Sequence, residues 1–199
     1  MDNNTETAKY PYQPGEKGVP FEELLERVGN GESKGAFVGG SGRALDYSIT
    51  EDSIKITDEH DLQYEMEATC RDGVAEFTLF TNVVPPDAGN SEARVRHPDM
   101  FAAKFVSFAL QYFKSKDMDV KACKDLWYPP DSDNLDTFKE IYGKTHDKVQ
   151  AAKATWSAKV FAQNGYTEIN EEDIQIDTLL NSDHAVTANF SRKDPTIRS

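Results

Sequence analysis

From His60 to Thr81 the sequence alternates. Leu62, Tyr64, Met66, Ala68 and Cys70 take every second position, with Gln63, Glu65, Glu67 and Thr69 between them. Beyond Asp72-Gly73, Ala75, Phe77 and Leu79 alternate with Glu76 and Thr78. A period of two sends one set of side chains to a buried face and the other to water. Asp-Gly between two such runs marks a type I′ hairpin, because both central residues of that turn need φ > 0. With Asp72 and Gly73 as the loop, Cys70 faces Ala75, Ala68 faces Phe77 and Met66 faces Leu79. A ribbon with one apolar face needs a larger sheet around it and a layer to cover it.

The sheet comes from the segments before the ribbon. Leu45, Tyr47 and Ile49 alternate, Glu51-Asp52 turns the chain, Ile54 and Ile56 alternate, and Asp58-Glu59 turns it again. Four successive strands with short polar turns predict an antiparallel meander. The cover comes from a helix that Pro98 opens and Lys114 and Lys116 close, as suits cations near a helix C-terminus. Phe101, Phe105, Phe108, Ala109 and Tyr112 line one stripe, and Val106, Leu110 and Phe113 widen it. That breadth predicts a largely buried helix lying across the meander's apolar face.

The remaining elements are shorter. Pro20 starts a helix with Phe21, Leu24, Leu25 and Val28 on one face, ended by Gly29 and Gly31. Val120 to Tyr128 reads as a strand interrupted by Lys121, Lys124 and Asp125 and stopped by Pro129-Pro130. Ser132 caps a helix carrying Leu135, Phe138, Ile141 and Tyr142, ended by Gly143. Thr145 caps the next, with Val149, Ala152, Trp156 and Val160 on one face and Gly165 at its end. Two strands close the chain, one near Ile174 and Ile176, one with Val186, Ala188 and Phe190. The fold class is therefore α+β: an antiparallel meander sheet packed by one long buried helix, with two further C-terminal helices and two closing strands. One domain spans residues 19–191, between a flexible N-terminal arm (1–18) and a C-terminal tail (192–199).

Charge narrows the partners. With 22 Lys+Arg against 35 Asp+Glu, the formal net charge is −13. Such a field repels nucleic-acid phosphate and attracts basic proteins. Between Asp46 and Glu67 stand eight carboxylates (Asp46, Glu51, Asp52, Asp58, Glu59, Asp61, Glu65, Glu67) and one lysine, Lys55. Glu168 to Asp183 holds six acids and no base. Of these, Glu168, Glu171, Glu172, Asp173 and Asp177 are the candidate recognition surface for a basic partner. No run approaches the ~20 apolar residues of a membrane span, and residues 1–18 have no apolar stretch of the secretory kind, so a cytoplasmic protein is expected.

No motif of known chemistry is present. Gly39-Gly40-Ser41-Gly42-Arg43 lacks the Lys-Ser/Thr of a phosphate-binding loop and fits no dinucleotide fingerprint, so it reads as a turn. His60, His97, His146 and His184 show no zinc-ligand spacing, and the acidic run lacks the spacing and central glycine of a calcium loop. No metal or cofactor is expected. Cys70 and Cys123 are too few for a disulfide framework, and Cys70 lies on the apolar face of its strand. Trp127, Tyr128, Trp156 and Tyr166 are the aromatics expected to be partly exposed, although Trp156 falls on its helix's apolar face, which makes the core its default place. Trp127-Tyr128 ends a strand before a capped helix, a place where ligand clefts are often rimmed, together with the loop from Pro85 to His97. Trp127 and Tyr128 therefore join the acidic residues as candidate site residues.

A meander, a long helix, a strand, a helical segment, Asn164-Gly165-Tyr166 and two more strands resemble the element order of the GNAT-type N-acetyltransferases. Asn-Gly-Tyr after a helix is similar to the Gly-Phe/Tyr that follows the last helix in that family. The resemblance covers roughly residues 44–191 and implies an acyltransferase that uses acetyl-CoA. The family's pyrophosphate loop, R/Q-x-x-G-x-G/A, corresponds here to Arg96-His97-Pro98-Asp99-Met100-Phe101-Ala102. That stretch has no glycine and sets the Asp99 carboxylate where a helix N-terminus would attract phosphate.

The function expected from the sequence is a non-catalytic acidic protein-interaction module, an inhibitor or immunity-type partner of a basic protein. The alternatives are a small acyl-CoA-dependent N-acetyltransferase-like enzyme, or a structural or assembly component with the N-terminal arm as a docking strap.

Overall fold

A computed structural model describes residues 21–38, 44–58, 61–83, 95–96, 102–129, 133–178 and 184–193. The N-terminal arm, the glycine cluster at Gly39 to Gly42, most of the loop from Pro85 to His97, the helix start at Pro98, the Ser132 cap and the end of the tail lie outside the described residues. The fold is α+β. Its elements are α1 (Phe21–Gly29), β1 (Lys34–Val38), β2 (Ala44–Ile49), β3 (Ser53–Asp58), β4 (Asp61–Arg71), β5 (Val74–Phe80), β6 (Asn82–Val83), β7 (Val95–Arg96), α2 (Ala102–Ser115) and β8 (Ala122–Trp127). They continue with α3 (Asp133–Thr145), α4 (Lys148–Ala154), α5 (Trp156–Gln163), β9 (Tyr166–Glu168), a 3₁₀ turn (Glu171–Asp173), β10 (Ile174–Thr178) and β11 (His184–Arg192). Among the described residues, nine strands form one sheet in the order β1-β2-β3-β4-β5-β8-β11-β10, with β9 paired to β11. No helix among the described residues is long and apolar enough to cross a membrane.

The chain divides into two compact units: residues 1–50, 54–67 and 79–105, and residues 51–53, 68–78 and 106–199. In the first, β1 pairs antiparallel with β2, with Gly35 beside Tyr47, and β2 pairs antiparallel with β3, with Tyr47 beside Ile56. β1 extends the meander by one strand beyond the four that alternation reveals. Lys34, Gly35 and Ala36 are all exposed, so no apolar stripe marks them. The ends of the long loop pair with each other as β6 and β7. Leu24, Leu45, Tyr47, Ile54, Ile56, Tyr64 and Met66 are at most 3% exposed.

In the second unit the Asp-Gly ribbon has the expected turn. Asp72 has φ 51° and Gly73 φ 79°, the left-handed pair that a type I′ turn demands. Ala68, Cys70, Ala75 and Phe77 are buried, while Leu79, counted with the first unit, is only half-buried. β5 pairs with β8 in parallel, from Val74 beside Ala122 to Phe77 beside Asp125. β11 lies antiparallel between β8 and β10. The buried face of this part of the sheet carries Phe77, Cys123, Trp127, Ala188 and Phe190. Phe161 of α5 packs its ring 5.5 Å from both Phe77 and Phe190. Phe138 of α3 lies 5.8 Å from Trp127. In α2, Phe105, Val106, Phe108, Ala109, Leu110, Tyr112 and Phe113 are all buried, the breadth that its sequence announces.

Three helix boundaries differ from expectation. α3 runs through Gly143 to Thr145, since one internal glycine costs a helix only ~1 kcal/mol. Asp147, not Thr145, caps α4: its carboxylate accepts from the Gln150 N–H at 2.9 Å. The expected single last helix is two, α4 and α5, broken at Thr155, which has extended backbone and caps α5. That break changes the helical phase, so Trp156, expected in the core, is 39% exposed.

Candidate functional site

A buried polar cluster of the second unit sits at the carboxyl end of β8. Period-two alternation puts Cys123, Asp125 and Trp127 on one face of this strand, so a carboxylate enters an otherwise apolar stripe. Asp125 is 4% exposed. Its carboxylate accepts from the Leu126 N–H at 2.9 Å, from the Trp127 indole N–H at 2.7 Å and from the Ser157 hydroxyl. The Ser157 oxygen in turn accepts from the Asn134 side-chain amide at 2.6 Å. The Asn134 carbonyl oxygen accepts from the backbone N–H groups of Trp156 and Ser157, at 2.9 and 3.2 Å. Thr155 Oγ1 accepts from the Ala158 N–H at 3.3 Å, so the first donors of α5 are all engaged. Burial pushes the Asp125 carboxyl above its ordinary range, while the bonds from Ser157, Trp127 and Leu126 pull the other way. The cluster braces α3 and α5 against β8, with its donors and acceptors turned on one another. The sequence carries one sign of it, an acid at an inward position of β8; the partners Asn134 and Ser157 lie on other elements and leave no local trace.

A second group lies around Tyr166. The Arg192 guanidinium stacks over the Tyr166 ring at 4.9 Å and donates to its hydroxyl at 2.8 Å. That hydroxyl donates to the Val120 carbonyl at 3.1 Å. Tyr166 is pushed up to about 12, chiefly by burial. Burial also lifts the thiols of Cys70 and, far more, Cys123. Both stay protonated at neutral pH and are poor nucleophiles. β5 separates β4 from β8, so two strand spacings, about 10 Å, part the two cysteines. That exceeds disulfide reach, and both are free thiols.

The acidic candidates line the chain from β9 through the corner made by the 3₁₀ turn to β10, with Glu168 level with Ser191 of β11 and Asp177 level with Ala185, about 20 Å apart along that strand. Glu168, Glu171, Glu172 and Asp177 are exposed and Asp173 is half-buried. Ile169 and Ile174, at 4% and 3% exposure, anchor this corner. Asp173 Oδ2 accepts from the Asn170 N–H at 2.9 Å, and Glu168 Oε1 accepts from the Thr167 hydroxyl at 3.0 Å. Lys148 Nζ stands 3.8 Å from Glu171, an exposed pair worth at most about 1 kcal/mol.

The aromatic candidates separate. Tyr128 and Trp156 are exposed, at 45% and 39%, whereas Trp127 and Tyr166 are buried, at 2% and 1%. Trp127 fills the core between Asp125 and Phe138 and offers no surface to a partner, which corrects its expected exposure. His146 and His184 are exposed; His60 and His97 lie outside the described residues. No three His, Cys, Asp or Glu side chains among the described residues come together as a metal site. Comparison with protein-family models, with curated proteins and with solved structures returned no match.

Proposed function

We propose that this chain is a non-catalytic acidic interaction module that binds a basic protein, as an inhibitor or immunity-type partner does. The observation that carries the reading is the corner of β9, the 3₁₀ turn and β10, where Glu168, Glu171, Glu172 and Asp177 stand exposed. They sit on a chain of net charge −13. Carboxylates displayed this way steer a basic partner and fix its register, and the association weakens with salt. The test is affinity capture from the native host with the chain as it stands and with a Glu168→Gln/Glu171→Gln/Glu172→Gln/Asp177→Asn variant. A basic partner held by the first and lost by the second supports the reading. The same partners on both, or acidic partners only, contradict it.

A second reading is an acyl-CoA-dependent N-acetyltransferase-like enzyme. What favours it is the parallel pairing of β5 with β8 through a connection that contains α2, in a sheet whose β1–β2, β2–β3, β8–β11 and β10–β11 registers are antiparallel. Ligand crevices favour the carboxyl ends of strands at such a reversal of order. A ligand that binds only the folded chain raises its melting temperature. Millimolar acetyl-CoA does so if this reading holds, and an unchanged melting temperature across CoA thioesters removes it.

A further inference from the structure

The geometry points to strand addition: the outer edge of β10 takes up an extended basic segment of the partner. This rests on the interaction reading above and gives it an atomic mode. β10 ends the strand order of the sheet, with β11 on one side and, among the described residues, no strand on the other. The Ile174 N–H turns back to the Glu171 carbonyl and away from β11. In an antiparallel ladder the inward and outward backbone groups alternate, so Ile174, Ile176 and Thr178 form the outward set. The Ile176 N–H and C=O are therefore offered to an incoming strand.

The side chains say which strand fits. Ile174 is buried and Ile176 half-buried on one face of β10, while Gln175 and Asp177 are exposed on the other. A partner strand that alternates apolar and basic residues places its apolar set beside Ile176 and its cations beside Asp177, with Glu171 and Glu172 just upstream. Main-chain bonds then supply affinity and the alternating side chains supply choice. The opposite edge of the sheet is closed differently. In β1 the Ser33 carbonyl accepts from Ile49 N–H, which turns the Ala36 carbonyl outward, and there Arg27 donates to it at 3.2 Å.

The test uses the full chain and the synthetic peptide acetyl-Val-Lys-Val-Lys-Val-Lys-Val-amide, read by residue-resolved amide exchange. Fast exchange at Ile176 is expected in the free chain. The peptide is expected to slow it on the order of tenfold or more, and a copy N-methylated at alternate residues is expected to leave it unchanged. Ile176→Pro removes the outward donor while sparing the β11 ladder, and is expected to abolish binding. If that variant does not fold, the N-methylated peptide decides alone. Slow exchange at Ile176 before any peptide is added overturns the proposal, because another segment of the chain then covers the edge. Equal protection by the corresponding Glu peptide overturns the basic partner. Binding lost on Glu171→Gln/Glu172→Gln/Asp177→Asn but intact in Ile176→Pro overturns strand addition and leaves the interaction reading standing.

Discussion

The hydroxyl of Ser157, in the first turn of α5, donates a hydrogen bond to the carboxylate of Asp125 in β8. This bond ties a helix to the sheet and completes a set of three donors around a buried acid. A buried carboxylate is tolerated when its oxygens are filled in this way and is costly when one donor is removed. Ser157→Ala is therefore expected to lower stability by about 1–3 kcal/mol. Urea unfolding of Ser157→Ala, Asp125→Asn and the double variant measures it. The two changes should be non-additive, as they are for groups that share a bond.

Acid should favour the native chain through the same group. The folded-state pKa of Asp125 is raised by burial. Its contribution to stability is then fully present below the unfolded value of about 3.9 and is lost as pH rises through the folded value. On acidification from neutrality towards pH 4, the native chain should gain stability relative to Asp125→Asn. Urea midpoints of both proteins across that range show it, and a difference that does not vary with pH contradicts the assignment.

Alkali should act through Tyr166. Its hydroxyl is held near 12 by burial and, to a smaller extent, by the neighbouring Cys123, against the opposing pull of Arg192. A raised phenol contributes stability below the unfolded value of about 10 and loses it as pH climbs from there to about 12. Burial also raises Tyr47 and Tyr112, so ultraviolet titration of the native chain should show several late tyrosines, and Tyr166→Phe should remove the step near 12.

Gly35 lies beside Tyr47 in the β1–β2 ladder. A Cβ added at Gly35 would stand 2.6 Å from the Tyr47 hydroxyl oxygen and 2.8 Å from the ring carbon that bears it. The Tyr47 side chain is 3% exposed, and its hydroxyl donates to Glu32 at 3.0 Å, so the ring has little room to yield. Gly35→Ala should cost about 1–3 kcal/mol, read as a fall in melting temperature, whereas Gly29→Ala, whose Cβ meets nothing within 4 Å, should not.

The elements that the sequence announced are those whose cause is local. Alternation and an Asp-Gly turn needed nothing beyond residues 62–79, and the apolar breadth of α2 was written in its own heptads. What stayed hidden depends on distant partners. β1 is a strand because β2 pairs with it, not because Lys34-Gly35-Ala36 carries a stripe. β9 is three residues long and exists through its pairing with β11. The α4–α5 break needs Asn134, twenty-two residues away, to hold the Trp156 N–H. Trp127 reads as a candidate site residue because it ends a strand before a capped helix, yet the inward acid Asp125 draws its indole N–H into the core. The acidic corner was legible as composition, but its placement on an edge strand was not.

The central claim is that the carboxylates on the β9–β10 corner select a basic partner. It is tested most directly by titrating the partner recovered from the host into the native chain and into the Glu168→Gln/Glu171→Gln/Glu172→Gln/Asp177→Asn variant, at low and at high salt. The account predicts tight, salt-sensitive binding to the native chain and a loss of at least about tenfold in affinity, with most of the salt dependence, in the variant. Equal affinity for both proteins, unchanged by salt, would contradict it.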